Sequence, residues 1–127
     1  KAIKDLTDAL KRNGKILITV PAFQFLFSKK DTQLKHYRRY NLKNFKVLMK
    51  DLEIIKITYF NFVLFIPLSI VILFLKVFRI DFINYAEKTP NKFVNMIFYN
   101  LFSFEKNLIN FLNFPFGLSI LYLGQKK

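Results

Sequence analysis

The chain has 127 residues, 53% hydrophobic and 18% aromatic, a composition that argues against disorder and supplies one modest core. It has no cysteine, which excludes a disulfide framework and a thiolate metal site. Its formal charge of +13 favours anionic partners such as nucleic acid, acidic lipid or a phosphorylated substrate, unless the lysines serve only to keep an apolar chain in solution.

The sequence starts at Lys1, inside a helical pattern, as expected of a piece of a longer domain. Ile3, Leu6 and Leu10 share one face and predict a helix over 2–12, ended by Asn13-Gly14 at the left-handed position after it. Residues 15–20 are β-branched and apolar on both faces, which predicts a strand inside a parallel sheet, stopped by Pro21. A connection rich in aromatics and bases runs from 21 to 40. Asn41 then caps a helix over 42–51, with Leu42, Phe45, Leu48 and Met49 inward and Leu52 just beyond. Alternation over 53–60 predicts a second strand.

No charged residue occurs in 57–75, and Phe62 to Leu75 is nearly all apolar, broken by Pro67 and Ser69. Two readings are open. As a membrane span the stretch only just reaches the length of about 20 residues and overlaps the strand. As a helix over 62–78 it caps the substrate site or dips into a membrane surface, with Lys76 and Arg79 flanking; this second reading is preferred. Residues 79–91 are polar and irregular, with Pro90 marking a helix start. The helix expected over 92–112 turns Val94, Ile97, Phe98, Leu101, Phe104, Leu108 and Leu112 to one face. A turn at 113–117 leads to a last strand, 118–123, able to pair antiparallel with 53–60 at a sheet edge. The fold class is α/β.

Three stretches carry a resemblance. Leu10 to Ala22 (LKRNGKILITVPA), the loop with Ser28, Asp31 and His36-Tyr37-Arg38-Arg39-Tyr40, and Phe60-Asn61-Phe62 together with Asn113 to Ser119 (NFPFGLS) resemble the C-terminal half of class I S-adenosylmethionine-dependent methyltransferases, of the methyltransferase type 11-like kind. Arg12-Asn13 stands where that family has Pro-Gly, and Phe27 where a Trp is usual. The resemblance implies a Rossmann-like seven-stranded sheet, of which this chain, 1–127, holds the last three strands, with the seventh antiparallel and residues 61–114 as a helical cap. It also implies that the strand at 15–20 pairs on one side with a strand this chain does not contain. The family holds its cofactor through a Gly-rich turn on earlier strands. This chain has three glycines and no Gly-x-Gly, so it is expected to be the substrate-side part and to hold no S-adenosylmethionine itself.

His36, the only histidine, stands either as a general base or as a residue fixing the loop. Arg38 and Arg39 are candidates to hold a carboxylate or phosphate. The other reading ties one of them to Asp31 and leaves its neighbour in solvent. Asp31, Tyr37, Tyr40, Phe23 and Phe27 complete the expected substrate-side set, the phenylalanines lying just past a strand's C-terminal end, where open α/β sheets bind ligands. The expected acceptor is a small or lipid-linked molecule, and the expected location is the cytoplasm with peripheral membrane contact. A basic membrane-associated or nucleic-acid-binding module without catalysis is the alternative. Nucleic acid is disfavoured, because the bases are dispersed and no recognition motif occurs.

Overall fold

A computed structural model describes residues 2–80 and 90–127. In chain order it has α1 (Ala2–Ala9), β1 (Lys15–Pro21), α2 (Lys29–Gln33), α3 (Leu42–Leu48), β2 (Glu53–Phe60), α4 (Phe65–Val77), α5 (Lys92–Ile109) and β3 (Ser119–Gln125). The chain is mixed α/β. Its sheet has the order β1-β3-β2, with β3 antiparallel to both neighbours.

Alternation along the three strands gives the sheet two unlike faces. On one, Ile18 and Ile57 stand opposite Tyr122, and Val20 and Tyr59 opposite Ile120. These side chains pack with Phe45, Met49 and Leu52 of the α3 region, and Ile3 and Leu10 close the edge of that core. The other face holds Leu17, Leu121 and Leu123. Leu17 remains 63% exposed, which corrects the expected strand covered on both faces of a parallel sheet. The neighbour of β1 is antiparallel, and apolarity on its outer face marks a surface this chain leaves uncovered.

Helix ends deviate from the expected ones for local reasons. The first helix ends at Ala9, not 12, and Lys126 donates from Nζ to the carbonyls of Thr7 (2.8 Å) and Leu10 (2.9 Å), satisfying orphan acceptors at its C-terminus. The turn to β1 has Asn13 at φ 62°. Asn41 caps α3 by accepting from the Asn44 N–H at 2.8 Å. Asn91 caps α5 in the same way, accepting from the Val94 N–H at 2.9 Å, so Pro90 lies just outside the helix. The expected irregular stretch at 79–91 falls largely outside the described residues.

Pro67 sits in the first turn of α4, where a missing N–H costs nothing. The inward face of α5 departs from the expected one: Phe104 is 60% exposed, and Glu105 is buried instead. The Glu105 carboxylate accepts the Phe62 N–H, at 3.1 Å from Oε1 and 3.2 Å from Oε2. Phe62 in turn stacks on Phe114 at 4.8 Å, and Phe65 packs against Phe116 at 5.2 Å. Both α4 and α5 therefore anchor at one aromatic cluster beyond the end of β2.

Candidate functional site

The loop after β1, expected to be irregular, contains a 3₁₀ turn (Gln24–Leu26) and α2, and it closes on itself. Ala22 donates its N–H to Leu118 O at 2.9 Å, on the β3 side. On the opposite side Tyr40 donates to Pro21 O (2.9 Å), and Phe23 donates to Tyr40 O (2.8 Å). Tyr40 thus lies parallel beside Ala22 and covers the C-terminal end of β1's free edge. Two non-glycine residues of this loop are left-handed, Phe23 at φ 58° and Lys35 at φ 56°. Such conformations cost about 1–3 kcal/mol each and gather at functional sites. Phe23 is held there by stacking on Tyr59 at 4.9 Å and by a tilted contact with Phe65.

Asp31 is the centre of the loop. It is 3% exposed and receives Arg39 as a bidentate partner, Nε to Oδ1 at 3.0 Å and Nη2 to Oδ2 at 2.9 Å. The Ser28 N–H (2.9 Å) and hydroxyl (3.1 Å) donate to Oδ2 as well, across the start of α2. Arg39 also reaches Ala22 O at 3.3 Å, and its own N–H donates to Gln24 Oε1 at 2.9 Å. Burial alone pushes the Asp31 carboxyl up. The hydrogen bonds from Arg39 and Ser28, with the guanidinium charge, outweigh burial and hold it below its ordinary value, so it is a carboxylate at neutral pH.

His36 stands beside this carboxylate. Its N–H donates to Asp31 O at 2.8 Å, and its Nδ1 lies 3.6 Å from Asp31 Oδ1. The imidazole is 42% exposed, so one edge faces a buried anion and the other is accessible. In the sequence Asp31 is expected to pair with an arginine, and its place beside His36 is not anticipated. The missed signal is weak: a five-residue separation matches no regular period, and the left-handed turn at Lys35 that folds it back is carried by a lysine.

Four of the expected site residues, His36, Tyr37, Arg38 and Tyr40, line an open groove of about 580 Å³ together with Thr19, Val20, Pro21 and Lys35. Arg38 lies 4.9 Å above the Tyr40 ring, and its Nε donates to the Tyr40 hydroxyl at 2.8 Å. Asp31 and Arg39 stand behind this groove as its support. Phe23 is part of the packing around Tyr59, and Phe27 is half-buried behind the 3₁₀ turn; neither lines the groove.

None of the three glycines forms a cradle for a cofactor. An added Cβ would meet Lys11 O at 2.7 Å from Gly14, Phe60 O at 2.4 Å from Gly117 and the Tyr122 hydroxyl at 2.5 Å from Gly124. The chain's own atoms fill all three approaches. No protein-family model, no curated protein and no solved structure matches this chain.

Proposed function

We propose that this chain is the acceptor-binding part of a class I S-adenosylmethionine-dependent methyltransferase, with the cofactor held by a half that pairs on the free edge of β1. One observation carries the reading: an exposed imidazole, backed by a buried and fully bonded carboxylate, at the C-terminal end of a strand whose outer face, and whose edge before the Tyr40 contact, are uncovered among the described residues. Open α/β sheets bind ligands at that end of their strands. Asp31 Oδ1 stands 3.6 Å from His36 Nδ1, on the side that favours a proton on that nitrogen and frees Nε2 for the role of general base. Nε2 then takes the proton of the acceptor, a small or lipid-like molecule seated in the groove. Asp31 acts through His36 as a positioning residue, and Arg39 acts through Asp31.

The complete gene product and a radiolabelled methyl donor test this. His36→Ala is expected to slow methyl transfer by about 10²-fold or more while cofactor affinity stays unchanged. Unchanged turnover would return His36 to a structural role. A coding sequence without a Gly-x-Gly turn on the N-terminal side of Lys1 would remove the methyltransferase reading itself. Calorimetry on the chain alone should detect no binding of S-adenosylmethionine, and micromolar affinity would contradict the division of labour.

The alternative, a membrane-bound module without catalysis, is favoured by a single feature, the apolar exposure of α4. That feature is compatible with either function.

A further inference from the structure

We propose that the groove beside β1 binds a phosphate monoester through Arg38 and Lys35. Of its eight lining residues two, Lys35 and Arg38, are basic and none is acidic. Asp31 is neutralised by Arg39 and does not line the groove, and the carboxylates of Asp8 and Asp51 line a separate, adjoining groove that shares Arg38 and Tyr40. The loop therefore divides its adjacent arginines: Arg39 neutralises the buried anion, and Arg38 faces solvent over the groove.

Arg38 is aligned before any ligand arrives. Its Nε is committed to the Tyr40 hydroxyl and its Cζ lies 4.9 Å over the Tyr40 ring, which leaves the four N–H groups of Nη1 and Nη2 as donors. Lys35, turned back by its left-handed backbone, supplies a second charge to the same groove.

Two fixed positive charges match a phosphate monoester, which carries about −1.5 to −2 at neutral pH, better than a carboxylate of about −1. Identifying this phosphate as part of the methyl acceptor rests on the function proposed above, but phosphate binding does not. Methyl transfer can fail while phosphate still binds, and the reverse, so the two ideas fall separately.

The chain's single histidine provides the readout, because its imidazole Cε1–H signal is unique in a proton NMR spectrum. The full chain, kept in a neutral detergent, is titrated with inorganic phosphate, glycerol 3-phosphate, acetate, and micelles carrying phosphatidic acid. A saturable shift with the phosphates is expected, with acetate at least about tenfold weaker. Arg38→Ala and Lys35→Ala should each weaken binding by about tenfold or more, and Arg38→Lys by less. Lys43→Ala, exposed on α3 away from the groove, should leave it unchanged. A shift with phosphatidic acid alone would identify a lipid headgroup as the source of the phosphate. A non-saturating shift, equal response to acetate, or equal loss in Lys43→Ala would overturn the site and leave only the general field of a +13 chain.

Discussion

Replacing Arg39 by methionine keeps most of its aliphatic stem and removes its charge, so it isolates what the guanidinium does for Asp31. The carboxylate would lose both bonds of the fork and keep only those from Ser28. Ala22 O would lose a donor as well. Breaking a buried pair by removing one partner costs about 3–5 kcal/mol. Arg39 is at the edge of the core at 13% exposed, and water will partly replace it, so about 3 kcal/mol is expected. For a chain of this size that corresponds to a fall of roughly 10 °C in Tm. Arg38→Met removes one exposed hydrogen bond and a ring contact, worth about 1 kcal/mol or less.

The pH dependence adds a sign. In the parent, the folded-state pKa of Asp31 lies below its unfolded value, so its contribution is complete above the ordinary range near 3.8 and is lost as pH falls through the depressed value. In Arg39→Met the largest lowering influences are gone while burial still pushes the carboxyl up, so this acid-side loss should vanish. Thermal melts by near-ultraviolet circular dichroism, in a mild neutral detergent from pH 7 down to about 3, measure both effects. Equal destabilisation by the two arginine variants, or an unchanged acid limb in Arg39→Met, would refute the assignment of Asp31 as the loop's supported anion.

Glu105→Ala should cost about 1–3 kcal/mol by leaving the Phe62 N–H without its acceptor. Glu105→Gln, which retains a carbonyl oxygen, should recover part of that in urea unfolding at constant slope. Gly117→Ala should cost about 1–3 kcal/mol or more, because its Cβ would lie 2.4 Å from Phe60 O and the close passage of the turn over β2 would have to open. The same urea titrations check it, and an unchanged midpoint would show that the turn moves freely.

Local chemistry made the elements legible in the sequence. Asn41 and the apolar spacing of Phe45, Leu48 and Met49 marked α3, and the alternation in 53–60 marked β2. The antiparallel pairing of the last strand with 53–60 followed from its place after a long excursion. What escaped was set by contacts distant in sequence. β3 also pairs with β1, so the strand read as parallel has an antiparallel neighbour. Glu105 lies where periodicity demands an apolar residue, because a backbone N–H at Phe62 gives its carboxylate a partner. Within the site, the residue types of the loop pointed to the right segment. Their division into a support (Asp31, Arg39) and a groove wall (His36, Arg38) depends on left-handed turns at Phe23 and Lys35, and neither residue type announces such a turn.

The exposed surface of α4 leads to the last prediction, that the chain docks on anionic membranes through this helix. Ile66, Ile70, Phe74, Val77 and Phe78 are all more than half exposed. At roughly 100° per residue the exposed apolar positions of α4 sweep about 220°, wider than the stripe of about 100° that a helix buries against a protein. With 13 residues the helix is about 20 Å long, short of a hydrocarbon core of about 30 Å. No helix among the described residues is long and apolar enough to cross a membrane. An interfacial position remains, and the charges suit it: residues 54–80 contain no acidic side chain, while Lys76 and Arg79 stand at the end of α4. Half-burying five such side chains contributes about 5 kcal/mol before immobilisation costs, and two bases at an anionic surface add about 2 kcal/mol. Flotation separates docking from aggregation, because aggregates sink while vesicles rise. The chain should float with vesicles of phosphatidylcholine containing about 30% phosphatidylglycerol, and less with phosphatidylcholine alone. Phe74→Asp with Phe78→Asp should cut flotation at least about tenfold, and Arg79→Glu should remove most of the preference for anionic lipid. A detergent-free monomer that unfolds cooperatively and stays at the bottom of both gradients would defeat this prediction and show that α4 tolerates water.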